Sequence, residues 1–225
     1  MADMVMVSID RSLKEIAPRL ALGVIQAMVQ VKAKDDQLWE QISARIEELQ
    51  RCLNPAAIPE QANIKALRAA YRKLGKDPAR FRGSQEALLR RILRGGGLYQ
   101  INSVVDINNL ISLRSLHSVG SYDLTRIVGR VTFRIGQSGE SYKGIGKEVI
   151  DLTALPVFSD EIGPFGSPTS DSERTMITSN TREIMMLIIA FSGSDGLEDE
   201  LKVATNLLGL YAVGSGNPAN VAVVQ

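Results

Sequence analysis

At Gly120 the apolar residues of this 225-residue chain change their period. Before it they recur at three-and-four spacing, as in Leu38, Ile42, Ile46, Leu49 and Leu53. After it, Val131, Phe133 and Ile135 alternate with Thr132 and Arg134. Spacing near 3.6 lets a helix bury one stripe, and spacing of two lets a strand bury one face. A chain with helices mostly early and strands late is expected to be α+β, with a mixed or antiparallel β core and flanking helices, the helices mainly in the N-terminal half. The expected organisation is a single domain over 1–225, its helical part spanning about 1–120 and its strand-rich part about 121–225.

The order of elements follows from the same patterns. Met4 to Ile9 reads as a strand and Arg11 to Ile16 as a short helix ended near Pro18. Leu20 to Val31 is apolar, rich in Val and Ile, and contains Gly23, which favours one or two buried strands. Helices are expected over Asp35 to Leu53 and Gln61 to Leu74, joined by an Asn54–Pro59 linker. Lys76 to Gly83 is a basic loop. Short strands follow near Glu140–Gly144, Val149–Leu152 and Leu155–Ser159, and Asp160 to Thr178 is a polar loop. Glu183 to Phe191 reads as a buried strand, Leu197 to Tyr211 as a helix and Val221 to Val224 as a possible last strand.

Residues 84 to 123 concentrate the unusual polar groups. Ser84 is placed to cap a helix running to about Arg94, with Leu88, Leu89, Ile92 and Leu93 inward and Arg90, Arg91 and Arg94 mostly outward. Gly95, Gly96 and Gly97 stop it. A second helix is expected from Asn102 or Ser103 to about Arg114. Asp106, Asn108 and Asn109 lie within it, although short Asp and Asn side chains compete with the helical backbone for hydrogen bonds. They are either an exposed polar face or groups held in place to bind something. Asn102 and Asp106 can equally serve as capping and turn residues.

Composition narrows the class further. A hydrophobic fraction of 44% supplies a substantial core, and the single cysteine, Cys52, excludes an intramolecular disulfide framework. No apolar run approaches the roughly 18 residues that a membrane span needs, and no basic-then-apolar signal opens the chain. A cytoplasmic location without a membrane partner is expected. The net charge of +1 hides an asymmetry: between Lys65 and Arg94 stand ten Lys or Arg against Asp77 and Glu86. Lys76, Arg80, Arg82, Arg90 and Arg91 are therefore candidates to meet RNA phosphates, or else form a solvated helix surface. The nearly neutral whole argues against a dedicated nucleic-acid protein.

The common catalytic signatures are absent. There is no GxxxxGK[ST] loop, and the glycine triplet follows a helix where a dinucleotide fingerprint would follow a strand. One histidine and one cysteine give no metal-ligand spacing, so neither a metal nor a cofactor is expected. His117 is a candidate general base as the sole histidine, or a satisfied loop histidine. Cys52 falls on the apolar side of its helix and is expected to be buried and inert. Trp39 is expected to pack in the core or between helices.

Several motifs in order resemble one family. The helix Ser84 to Leu93, the hinge Gly97-Leu98, the run Ile101-Asn102-Ser103-Val104-Val105-Asp106-Ile107-Asn108-Asn109 and the four residues Gly120-Ser121-Tyr122-Asp123 follow its pattern. So do the strand Gly129 to Ile135, the turn Ile162 to Gly166 and the run Thr178 to Thr181. Together these resemble the B3/B4 domain of the phenylalanyl-tRNA synthetase β chain and its stand-alone relatives. The resemblance implies a domain that binds the 3′ end of tRNA and, in the bacterial enzyme, hydrolyses tyrosine mischarged onto phenylalanine tRNA. Such editing exists because a pocket shaped for one amino acid rejects close analogues imperfectly.

Carried across residue by residue, the resemblance matches Asn109 to the family's pocket asparagine and puts Asn108 where it has threonine. Gly120 replaces its editing histidine, and its pocket glutamate falls at about Leu187. The implied substrate-binding set is Asn102, Asp106, Asn108, Asn109, Gly120, Asp160, Arg174 and Thr175, with no catalytic residue assigned. Asp160 with Glu161 can also be a solvated loop pair, and Arg174 can meet an anion or form a salt bridge with Asp171 or Glu173. The expected function is binding of tRNA or an aminoacyl-tRNA 3′ end, with hydrolysis of mischarged tRNA in trans conceivable if the tRNA's own hydroxyl positions the water. The alternatives are a non-catalytic amino-acid or RNA-binding module, or a hydrolase of a small aminoacyl-like metabolite. If the basic stretch shares a mouth with Asn109, RNA is favoured. The oligomeric state is open.

Overall fold

The computed structural model describes residues 4–212 and 219–225. Two four-stranded sheets and a hairpin form the β part. The first sheet joins β1 (Val7–Ile9), β4 (Val131–Ile135), β7 (Pro156–Ser159) and β8 (Pro164–Gly166), with β1 parallel to β4 and the other pairs antiparallel. The second is antiparallel throughout, in the order β10 (Asn220–Val224), β2 (Ala21–Met28), β9 (Glu183–Ala190), β3 (Ser118–Asp123). The small hairpin pairs β5 (Ser141–Lys143) with β6 (Val149–Asp151). The α+β class with a mixed and antiparallel core is as expected.

Alternation along β9 explains how the layers stack. Met185, Leu187 and Ile189 point to the first sheet and join Tyr122, Phe133, Phe158 and Phe165 in one apolar cluster. Ile184, Met186, Ile188 and Ala190 point the other way, onto α2 (Asp36–Cys52), α5 (Ser103–Ser115) and α6 (Leu197–Tyr211). Both faces of β9 are buried, so from Ile184 on it is apolar without a break rather than alternating. Gly23 on β2 lets α6 approach: a Cβ there would stand 3.0 Å from Leu201 and 3.1 Å from Leu197. A third cluster ties α2, α3 (Ala62–Lys73), α4 (Ser84–Leu93) and α5 together through Leu49, Ile64, Leu89, Ile92 and Leu113.

Four local expectations are corrected. Gly83, not Ser84, stands at the N-cap of α4, and its N-cap gives no side-chain hydrogen bond. The linker after Asn54 is a 3-10 helix over Pro55–Glu60, started by the Asn54 side chain accepting from the Ala56 N–H at 2.9 Å. The polar loop after Asp160 contains β8, whose Phe165 is wholly buried; a three-residue strand bounded by Pro and Gly carries no period, and Pro164 is tolerated because β8 is an edge strand. Cys52 is exposed, because it occupies the last turn of α2 where the buried stripe has ended at Leu49.

Candidate functional site

The polar residues of the central segment divide into local groups, each with partners of its own. At the start of α5, Asn102 caps the helix by accepting from the Val105 N–H at 3.0 Å. Asp106 is buried and accepts from the Trp39 indole N–H at 2.8 Å and the Ile101 N–H at 3.1 Å. Burial raises its pKa, and these two donors oppose the rise. Trp39 is thus fastened by its polar end while its ring packs against the helical core. These residues hold the entry to α5.

One turn on, Asn108 bridges the helix to the free edge of β3. Its amide donates to the Val119 carbonyl at 3.0 Å and accepts from the Ser121 hydroxyl at 3.0 Å. The second sheet ends at β3, and Asn108 closes part of that open edge. Asn109 is half-buried and takes no part in this bracket.

Gly120 and Leu187 are register partners on β3 and β9. Both belong to the face turned toward the first sheet, and the space between the sheets is filled with rings. Phe133 and Phe158 stack at 4.2 Å, and Phe165 meets Tyr122 edge-on at 4.9 Å. The Tyr122 hydroxyl lies where a Cβ on either Gly120 or Gly166 would have to go. Glycine at 120 therefore lets the tyrosine two residues later fold back across its own strand. That hydroxyl donates to Asp171 at 2.8 Å, and burial pushes the Asp171 carboxyl up to about 6. With Leu187 fully buried, this seam offers no polar group to a substrate at either position.

Asp160 and Arg174 pair with each other, not with Asp171 or Glu173. The Arg174 fork donates to both carboxylate oxygens at 3.0 and 2.9 Å, and also to the carbonyls of Arg126 at 2.9 Å and Gly163 at 3.1 Å. The Asp160 side chain is fully shielded from solvent, so it is not a solvated loop carboxylate. Against the cost of burial, Arg174 and the N–H groups of Val128 and Gly163 hold its pKa below the ordinary range. The pair braces the loop around β8. Thr175 is buried, its hydroxyl without a hydrogen-bond partner among the described residues. His117 is buried as well, and desolvation drops its pKa from 6.5 to about 4, which leaves its imidazole neutral near pH 7. Asp123 caps the turn after β3, accepting from the Thr125 N–H at 3.1 Å and the Thr181 hydroxyl at 2.7 Å.

The basic stretch is arranged differently. Arg82, Ala87, Arg90, Arg91, Arg94 and Gly96 line an open groove of about 420 Å³. Arg90 reaches Glu86 at 2.8 Å, but this buried carboxylate is shared with Arg68 at 2.9 Å, so the trio keeps a net positive charge. Arg82, Arg91 and Arg94 are exposed and have no carboxylate partner among the described residues. The Arg91 side chain donates to the Gly97 carbonyl at 2.6 Å and lies 4.4 Å from the centre of the Tyr99 ring. Lys76 lies 4.9 Å from the Phe81 ring, and Arg80 is exposed on the same loop; neither lines the groove. Sequence reasoning selected Arg82, Arg90 and Arg91 and passed over Arg94 and Tyr99. The four-residue step from Arg90 to Arg94 was the signal for the first.

A larger groove of about 780 Å³ runs between α6 and β10, lined by Leu201, Leu210 and Val221 among others. It contains none of the residues singled out by sequence, and Asn109 lines neither groove.

A family model described as the B3/4 domain matches residues 66–205. The phenylalanine–tRNA ligase beta subunit of Chromobacterium violaceum is 35% identical over 66 residues, a match that spans 29% of this chain and 8% of that subunit. Among solved structures, an N-terminal fragment of the phenylalanyl-tRNA synthetase beta-subunit from Pyrococcus horikoshii aligns with 99% of this chain and 51% of its own length, at 14% identity and a TM-score of 0.47.

Proposed function

This chain belongs to the B3/4 domain family, and from that premise we propose that it is a binding module for tRNA that engages the phosphate backbone without hydrolysing an aminoacyl ester. The observation that carries the reading is the groove lined by four arginines, three of them without a carboxylate partner among the described residues. Protein–nucleic acid affinity comes largely from neutralised phosphates and released counterions, and guanidinium forks suit phosphate geometry. The relative from Chromobacterium violaceum is by its name part of a ligase for tRNA, which supplies the class of nucleic acid.

The same reading turns away from hydrolysis. An ester hydrolase needs donors aimed at the developing oxyanion or a group that positions water. Gly120 has no side chain, Leu187 is apolar and fully buried, and Tyr122 occupies the space beside them. Arg174 and Asp160 satisfy one another. Asn109 does not line the arginine groove, so phosphate contacts and a pocket asparagine do not share one mouth there.

The test uses the purified protein with whole tRNA, measured by fluorescence anisotropy across a salt series. The Arg82→Gln, Arg91→Gln, Arg94→Gln triple variant is expected to lose roughly 100-fold in affinity near 0.1 M salt, and its salt slope should be smaller by about three. Unchanged binding by the triple variant would remove the groove from the reading. Selective hydrolysis of one mischarged tRNA by the wild type would replace the module with a deacylase.

A further inference from the structure

Tyr99 is the one aromatic residue that the fold leaves exposed among the described residues, at 67%. Tyr71 and Tyr122 are fully buried, Tyr142 and Tyr211 nearly so, and Trp39 and Phe81 are half-buried. Tyr99 belongs to none of the three apolar clusters, whereas its neighbour Leu98 packs against two of them. The core therefore gives no reason for a ring at this position. What the ring does touch is Arg91, whose guanidinium carbon lies 4.4 Å from its centre. Arg91 is itself a wall of the groove, with Arg82, Arg90 and Arg94. Its donation to the Gly97 carbonyl at 2.6 Å fixes the turn that carries the ring.

We infer that Tyr99 and the arginine groove together take an unpaired stretch of nucleic acid, with one base stacked on the Tyr99 ring and the flanking phosphates on Arg82, Arg90 and Arg94. This deepens the tRNA-binding reading and rests on it. An exposed aromatic beside a row of arginines, three of them without a carboxylate partner among the described residues, is the pairing that single strands demand: every base has a π-face for the ring, and every linkage has a charge for the arginines. A duplex keeps its bases stacked inside and offers Tyr99 nothing, so recognition falls on loops and ends. An acidic peptide matches the charge of the groove but has no use for the ring. Arg91 serves both parts, stacking on the tyrosine and adding charge to the phosphate track.

The probes are a labelled single-stranded RNA of about eight nucleotides, within the site size of a small single-strand binder, a blunt duplex of the same sequence, whole tRNA, and polyglutamate as competitor. The single strand is expected to bind about tenfold more tightly than the duplex, and Tyr99→Ala to lose about tenfold for the single strand with its salt slope unchanged. Tyr99→Phe should retain the affinity, and Arg94→Gln should lower the slope by about one. Unaltered melting of the Tyr99 variants establishes that the fold is kept. Indifference to Tyr99→Ala, equal binding of the duplex, or displacement by polyglutamate as effective as by single-stranded RNA would overturn the inference. If tRNA still binds in those cases, the tRNA reading stands; if the wild type binds neither tRNA nor the single strand, both fall.

Discussion

The seam between the sheets and the groove beside α4 solve opposite problems with similar residue types. In the seam and on the loop around β8, the charged groups are answered from within: the Tyr122 hydroxyl donates to Asp171, and Arg174 donates to the Asp160 carboxylate. Rings fill what space remains. Along the groove, Arg82, Arg91 and Arg94 face water without a carboxylate partner among the described residues, and a tyrosine is left out of the core. Leaving like charges side by side on a surface costs stability through repulsion, and only a partner of opposite charge offsets it. Satisfied interior groups hold the fold together, and the exterior arginines are where the proposed tRNA-binding reading puts its partner.

The largest effect expected from this contrast is on stability alone. Phe158→Ala should destabilise the protein by about 4 kcal/mol, because a stacked, fully buried ring leaves a cavity between two sheets. Urea unfolding measures the loss, and tRNA affinity of the folded variant should be unchanged. A change in affinity without unfolding would place the ligand in the seam and break the contrast.

Acid dependence sharpens it next. The Asp171 carboxyl rises from 3.8 to about 6 on folding, so between those values the folded chain keeps a proton that the unfolded chain has lost, and stability falls as pH rises. His117 falls from 6.5 to about 4, so there the unfolded chain binds the extra proton, and stability rises with pH through that window. The two effects are each on the order of 3 kcal/mol and oppose one another. Relative to the wild type, His117→Gln should lose stability from pH 4 to 6.5, whereas Asp171→Asn should gain it over nearly the same range. Parallel stability curves for all three proteins would show that neither group titrates as its burial requires.

The smallest expected effect is at Gly120. Alanine there drives a methyl into the Tyr122 hydroxyl and should cost about 2 kcal/mol through overpacking. The urea midpoint should drop with tRNA binding intact. A neutral Gly120→Ala would mean that the seam has spare room, and with it space for a substrate.

Much of the frame was legible from periodicity. The long helices, the apolar run of β9 and the last strand lie within a residue or two of where spacing put them, because long amphipathic or fully apolar segments have few alternatives. Ser118 to Asp123 was not read as a strand, since Ser118, Gly120 and Ser121 carry no apolar period; pairing with β9 makes it one. Tyr99 carried no signal at all, because an exposed ring and a core ring look alike in a sequence.

The sequence by itself determined the class, the family pattern and the crowding of positive charge between Lys65 and Arg94, since spacing and composition are local properties. Only the tertiary structure decided which charges cancel. Asp160 and Arg174 are 14 residues apart and close on each other, and Arg68 and Glu86 are 18 apart and do the same. Arg82, Arg91 and Arg94 are left open to solvent. Pairing depends on distance through space and on burial, and chain order fixes neither.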